Sequence, residues 1–427
     1  MRAAFAFGLG IFVVGVLQAA PQRPAAPNPA VFDAVWQKVK SGFYDPELHG
    51  KDWEAIGNKY RPLARKARTE RQLHRVLDRM FGELGASHLA IIDGDYCERH
   101  LLKGAKGQVV PHYGFFLTHL DEGFFVSKLL HGGPARVAGV KRGDRLISID
   151  GLPPHPDHLT PKPYESFFGG PRSYMIFPQR TGEKVDLQFQ RTPRPMGRYR
   201  VVLEAHPWNE IEAGRESGTI IERGGFKLGY MQLYHLLSKQ VVVHLAEFLK
   251  THRDEIDGMI VDLRGTGGAP KAADLLIDLF DPQRVGSPAT RLNRRYVPPS
   301  PSGAFFGKPV VALIDQAARS VKEVVAFNWR RQKIGPLVGQ TTRGAVLGAM
   351  YANGKLADGH YLMVPMMDVR TLTGGVTLEN HGVEPDVFVK NPLPYAAGRD
   401  AVIEQGVETL LEQILAARRR GKRGGWH

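Results

Sequence analysis

Ser320 stands where a short apolar run, Val310 to Ile314, gives way to a turn of small and polar residues, Asp315 to Arg319. A helical pattern follows, with Val321, Val324, Val325 and Asn328 on one face. A serine hydroxyl at that junction can cap the helix. It can also attack, because the unpaired N–H groups and positive dipole end of a helix are suited to hold a developing oxyanion. Three other segments carry partners for the second use. Gly85-Ala-Ser87-His88 offers an imidazole base just past a helix end, where a histidine otherwise bonds the last carbonyls. Asp262-Leu-Arg264-Gly-Thr-Gly267-Gly268 is a strand end opening into glycines, able to turn a free N–H toward a substrate carbonyl. Leu378-Glu379-Asn-His381-Gly-Val-Glu-Pro-Asp386 puts a carboxylate in a turn-rich stretch.

The elements that must position these groups fall into three textures. After a Pro/Ala stretch, Val31/Phe32, Val35/Trp36, Val39 and Phe43 form one apolar helical stripe. Thr69 and Gln72 fit a capping box ahead of Leu73, Val76/Leu77, Met80/Phe81 and Leu84, and Leu89 to Ile92 reads as a strand. From about Lys103 to Arg194 short strands and turns take over. Tyr113-Gly114-Phe115-Phe116, Arg142-Gly-Asp144 and Leu146-Ile-Ser-Ile-Asp-Gly151 together resemble a PDZ domain. In that resemblance Tyr113, Gly114, Phe115 and Phe116 take the place of the loop that binds a peptide's terminal carboxylate, since a glycine turn exposes successive N–H groups to an anion. The third texture alternates strand and helix: strands at Lys227–Leu233, Met259–Leu263, Val310–Ile314, Pro336–Gly339, Tyr361–Val369 and within Val376–Val389, and helices at Lys239–Thr251, Lys271–Phe280 and Arg399–Arg418. Such alternation argues for a largely parallel α/β sheet, whose sites form in the turns after the strands' carboxyl ends. Ser320 and the glycine-rich turn both fall at such ends.

Composition excludes little beyond this. At 427 residues, 43% hydrophobic and 23% charged, the chain is long enough for several domains around sizeable cores. Met1 to Ala20, with Arg2, an apolar run to Leu17 and small residues after it, reads as a secretory signal too short for a membrane span, although an uncleaved signal would leave an anchor. The chain is therefore expected to be exported, to a bacterial periplasm or cell envelope or beyond. The lone Cys97 cannot form an internal disulfide. The net charge of +14 is spread along the chain, so no nucleic-acid partner is expected. Only Arg418-Arg-Arg-Gly-Lys-Arg423 is a dense basic run, expected to be a solvated end with a chance contact to anionic envelope lipid or polymer. No internal repeat, phosphate loop or metal-type Cys/His spacing is evident.

Asp-Leu-Arg-Gly-x-Gly-Gly and Ser-x-x-Glu, with Gly-x-Ser-His and Glu-Asn-x-Gly-Val-x-Pro-Asp, resemble the serine peptidases that comprise tail-specific (C-terminal processing) proteases and the tricorn core protease, on the tricorn-like side. The resemblance implies an α/β multidomain protein with a ClpP/crotonase-like catalytic core. Its expected parts are a signal peptide over 1–20, a linker over 21–30, a helical region over 31–102, a PDZ-like insert over 103–205, the peptidase core over 206–417 and a basic tail over 418–427. Tail-specific members use a lysine where this chain has Ala345, so a Ser-Lys dyad is not expected. The tricorn-like scheme makes Ser320 the nucleophile and His88 the general base and acid, with Ser87 and Glu379 orienting His88. Oxyanion donors would be the N–H of Val321 and one from Gly267 or Gly268. Lys322 lies two residues from Ser320, and neighbours two apart on a helix do not face each other. His235 and His381 read as packing or surface residues, and Arg264 as a partner for a carboxylate. The implied activity is peptide-bond hydrolysis on protein or peptide substrates, engaged in part by their C-termini, without metal or cofactor. The competing reading is an inactive peptidase-like PDZ protein that holds peptide ends or apolar ligands. Oligomeric state is not legible.

Overall fold

The computed structural model describes residues 27–28, 30–104, 106–156, 159–161, 173–280 and 306–423. The expected signal peptide and most of the Pro/Ala linker lie outside the described residues. Three helices open the chain: α1 (Ala30–Gly42), α2 (Trp53–Arg65) and α3 (Glu70–Gly82). α1 and α2 are tied by reciprocal bonds, each tryptophan of Trp36 and Trp53 donating its indole N–H to the other's carbonyl at 3.0 and 3.1 Å. Thr69 caps α3 by accepting the Gln72 N–H at 3.2 Å, while the Gln72 side chain reaches back to the N–H of Arg68. α3 ends ahead of the Ser87-His88 segment, and β1 (Ala90–Ile92) follows at once.

The middle of the chain is built from β2 (Val110–His112), β3 (Phe115–Leu120), β4 (Gly123–Leu129), β5 (Arg145–Ile149), β6 (Thr160–Pro161), β7 (Ser173–Met175), β8 (Lys184–Gln190), β9 (Arg198–Glu204) and β10 (His206–Trp208). β3 to β9 form one sheet in the order β6-β7-β3-β4-β5-β8-β9, and β10 pairs with β2. Phe115, Leu117, Phe124, Leu146, Leu187 and Phe189 fill its core. Buried Asp144 of the Arg-Gly-Asp turn accepts Arg191 at 2.9 Å and the Tyr199 hydroxyl at 2.5 Å. Its neighbour Arg142 donates to the carbonyls of Asn391, Pro392 and Arg399, riveting this sheet to the end of the core.

The core sheet runs β11 (Thr219–Arg223), β12 (Phe226–Gln232), β13 (Gly258–Asp262), β14 (Val310–Ile314), β15 (Leu337–Gly339) and, after a separate hairpin, β18 (Val387–Phe388). β12, β13, β14, β15 and β18 are parallel; β11 closes one edge antiparallel. Helices Gln240–His252, Pro270–Asp278 and Val321–Arg331 cover one face, and Ala401–Arg423 covers the other. β13 and β14 are buried at every residue, as strands covered on both faces must be. The hairpin, β16 (Gly348–Lys355) and β17 (Tyr361–Met367), leaves this sheet and pairs with β1. Its Leu356, Leu362 and Val364 complete the core of the N-terminal helices. The helical region and the core are thus one packed unit at this seam.

Two expectations change. Val376 to Val389 holds a single two-residue strand, because the segment is drawn into turns by hydrogen bonds to the loop around Gly344. The basic run from Arg418 is not a loose end: the last helix continues to Arg423, with Arg418 paired to Asp257 at 2.8 Å and stacked over Phe226. Among the described residues no helix is long and apolar enough to cross a membrane.

Candidate active site

Ser320 occupies the cap position of the helix Val321–Arg331, yet its side chain caps none of the first-turn N–H groups. Its backbone sits at φ 55°, ψ −130°, a region sparsely populated by residues with a Cβ. A strained strand-to-helix turn of this kind lifts a hydroxyl clear of the chain. Asp315 shapes the turn, its Oδ1 accepting the N–H groups of Ala317 at 3.1 Å and Ala318 at 2.9 Å. The same oxygen accepts the Gly265 N–H at 3.0 Å, which locks the glycine-rich turn beside the serine.

The two candidate glycines differ in what they touch. A Cβ on Gly267 would stand 2.6 Å from the Ser320 Cβ and 3.4 Å from its Oγ. A Cβ on Gly268 would instead meet the Leu236 backbone at 2.4 Å. Gly267 therefore lies against the serine, and Gly268 against a structural bridge.

On the other side of the site, Ser87 and Glu379 are joined twice although 292 residues apart: the Ser87 N–H donates to Oε1 at 2.7 Å and its hydroxyl to Oε2 at 3.0 Å. The Ser87 Oγ is also 2.8 Å from Nδ1 of His88. A hydroxyl has one proton. With that proton given to Glu379, Nδ1–H of His88 must donate to Ser87, which leaves Nε2 as the basic nitrogen. His88 takes φ 60°, another position off the common backbone regions. Burial, reinforced by the Arg319 guanidinium, holds its pKa down to about 3, so the ring is neutral at neutral pH. Burial raises the pKa of Glu379, against the stabilising bonds it accepts from Val346, Ser87 and Leu347.

One loop connects the two sides. The carbonyl of Ala345 accepts the Ser320 N–H at 2.7 Å, and the next residue, Val346, donates its N–H to Glu379 at 2.8 Å. Glu323 holds this loop from within the helix: fully buried, it accepts the Thr342 hydroxyl and the N–H groups of Gly344 and Ala345. The Ser-x-x-Glu spacing marked Glu323 in the sequence, but not its grip on Ala345. Asp315, Arg319 and Val346 carried no sequence signal of their own, since their partners are remote in the chain.

Other candidates fall outside the reacting group. Lys322 turns away, its ammonium donating to the carbonyls of Leu233, Tyr234 and Arg264. Arg264 pairs with Asp262 and Asp400. His235 is buried and accepts the Leu237 N–H; His381 is exposed and bonds its own backbone neighbourhood. In the Tyr113–Phe116 loop the side chains are buried, and Gly114 gives its N–H to His112 Nδ1 at 2.6 Å. β7 pairs with the outer edge of β3 at Leu117 and Thr118, where an added peptide strand would meet the chain's own. A cleft of about 900 Å³ opens between this sheet and the core, lined by Phe116, Lys128 and Arg136 on one side and Gly265, Thr266 and Arg319 on the other.

The profile of peptidase family S41 matches residues 227–389, the tricorn protease C1 domain residues 24–82 and the PDZ domain residues 102–158. A tricorn protease homolog of Streptomyces coelicolor is 27% identical over 411 residues, covering 92% of this chain and 33% of that protein. The chloroplastic C-terminal processing peptidase of Tetradesmus obliquus is 24% identical over 395 residues, covering 86% and 79%. The chain spans about a third of the length of the tricorn relatives it matches. Among solved structures, mature CPAF complexed with lactacystin shares the fold, with a TM-score of 0.52 at 12% identity over 91% of this chain and all of that one. The peptidase match covers the glycine-rich turn, Ser320 and Glu379, and the C1 and PDZ matches flank Ser87 and His88; the chain thus carries a domain of peptidase family S41, a family of serine-type hydrolases, together with tricorn C1 and PDZ domains, the arrangement of a tricorn-like peptidase.

Proposed function

We propose that this chain is an exported serine peptidase that hydrolyses peptide bonds of proteins or peptides through an acyl-enzyme. Ser320 is the nucleophile and His88 the general base and acid. Ser87 and Glu379 orient His88 and stabilise its cation. The observation that supports this most is the Glu379–Ser87–His88 chain, which meets the Ser320 backbone through the consecutive residues Ala345 and Val346. A capping serine has no use for such a relay.

In the proposed step Ser320 Oγ attacks the scissile carbonyl carbon as its proton passes to His88 Nε2. The oxyanion is held by the N–H of Val321, which opens the helix and lacks a helical acceptor, and by Gly267. His88 then protonates the leaving amine, and water, deprotonated by the same nitrogen, releases the acid. No cofactor takes part. The cleft between the PDZ sheet and the core would receive the chain to be cut, with basic Lys128, Arg136 and Arg319 facing it. Tyr113 to Phe116 is the segment that would meet a peptide C-terminus, although the Gly114 N–H is given to His112 and β7 covers the edge that follows.

Incubation of the purified chain with a mixed peptide library, read by mass spectrometry, tests the reading. Cleavage lost in Ser320→Ala and in His88→Ala is expected. Peptides bound but never cut, with binding unchanged by His88→Ala, would make it a binding protein instead.

A further inference from the structure

At the seam between the N-terminal helices and the β16–β17 hairpin, His74, Asp358 and His360 each offer a ligand atom, and these atoms all lie within 4.8 Å of one another. His74 comes from the second turn of α3, and the other two from the hairpin turn, 284 residues away. That turn is held closed by the Leu356 N–H donating to the His360 carbonyl at 2.7 Å. Gly94 packs against it so closely that a Cβ there would lie 2.2 Å from the Gly359 carbonyl oxygen. The ligand positions are therefore set by rigid elements.

We propose that His74, Asp358 and His360 bind a zinc ion that pins α3 to the β16–β17 hairpin, with a fourth position left to water. Two imidazoles and a carboxylate are a recurring zinc donor set. Ligand atoms around a tetrahedral zinc at the usual bond lengths stand roughly 3.3 Å apart. Here His74 Nε2 is 2.9 Å from Asp358 Oδ2 and His360 Nδ1 is 3.5 Å from the other oxygen, Oδ1, so the carboxylate lies between the two rings and must turn to bring one oxygen to an ion that both nitrogens share. The side chains are 18%, 0% and 19% exposed in the order His74, Asp358, His360, which shelters the site while leaving it reachable. An outer carboxylate stands nearby, one ring shift beyond hydrogen-bond reach. His360 Nε2 is 4.0 Å from Asp93 Oδ2, while the other oxygen of Asp93 caps the following turn through the Tyr96 N–H. A metal-bound histidine whose far nitrogen faces a carboxylate is the common supporting arrangement.

The site lies on both routes that fix Ser87 and His88: α3 leads into them, and β1, which follows them, pairs with β17 at Ile92 and Tyr361. The ion would act on the catalytic segment by holding the seam, not by touching substrate.

The test is titration of the full chain, stripped with a chelator, with Zn²⁺ followed by calorimetry and with Co²⁺ followed by visible absorption. One equivalent bound, with a tetrahedral Co²⁺ spectrum, is expected, and both are lost in His74→Gln and in Asp358→Asn. Asp93→Asn should weaken Zn²⁺ binding by roughly 10- to 100-fold. A melting temperature raised by Zn²⁺ in the parent chain and unmoved in His74→Gln would agree. If the parent binds no equivalent, or if folded His74→Gln and Asp358→Asn bind as the parent does, the cluster is a hydrogen-bonded ion pair between two elements and the proposal fails.

Discussion

The backbone N–H of Ser320 points to the carbonyl oxygen of Ala345, 2.7 Å away. Ala345 is the position at which tail-specific relatives are expected to carry a basic lysine, so the segment that would supply a base here supplies a strut. The next N–H, from Val346, goes to Glu379. One dipeptide thereby sets the distance between nucleophile and relay.

Loss of relay members should lower turnover without unfolding the chain. His88→Ala is expected to cost about 10² to 10⁴ in kcat/KM on any cleaved peptide. Ser87→Ala should fall in the same direction, with kcat more affected than KM, because Ser87 is fully buried and acts through its contact with His88. Steady-state kinetics on one peptide for the parent and both variants checks this.

Gly267→Ala and Gly268→Ala should separate. At Gly267 the new methyl would press on Ser320 and on the Arg319 carbonyl, 2.9 Å off. Displacing the nucleophile by about 1 Å can cost roughly 10²-fold, so the folded Gly267→Ala chain should lose activity beyond the stability that a methyl against a Cβ and a backbone carbonyl also costs. At Gly268 the methyl meets the Leu236 backbone, so stability should drop by roughly 1–3 kcal/mol. Thermal melts alongside kinetics distinguish the pair.

Burial raises the Glu323 pKa to about 7. For an acid whose folded pKa lies above its unfolded value, the folded state holds its proton more tightly. The stability tied to that proton is fully present below about pH 4.5 and is lost as pH rises through about 7. At roughly 1.4 kcal/mol per pKa unit the loss is about 3 kcal/mol. Urea unfolding between pH 4.5 and 8 should show that decline in the parent and a flatter curve in Glu323→Gln.

The acid limb of the rate profile carries a signature of His88. With its pKa lowered by burial and by Arg319, the ring stays neutral well below the ordinary histidine value of 6.5. The limb of kcat/KM should therefore have its midpoint below pH 6. Arg319→Gln removes the second cause and should move a histidine-governed limb upward.

Much of this was legible in the chain. β14 occupies Val310–Ile314, the run marked by its apolar residues, and the glycine-rich turn and Ser320 follow strand ends as parallel α/β logic requires. The helix α2 was not picked out, because its apolar residues are interrupted by charged ones and by Pro62. Of the hairpin that seats the N-terminal helices, β17 answers to the strand expected at Tyr361–Val369, but β16 was missed: it carries Asn353-Gly354 in its interior and pairs with two register shifts, so its alternation is broken. The tie between Glu323 and Ala345, and the cluster of His74 with Asp358, depend on elements far apart in sequence, which no local spacing encodes.

The most direct test of the central claim is covalent. The intact chain is treated with a fluorophosphonate, its mass is measured, and the modified peptide is mapped. A single adduct on Ser320, absent in Ser320→Ala and much slower to form in His88→Ala, is the predicted result. Labelling that persists in Ser320→Ala, or no adduct on the parent under conditions that label an active S41 peptidase, would contradict it.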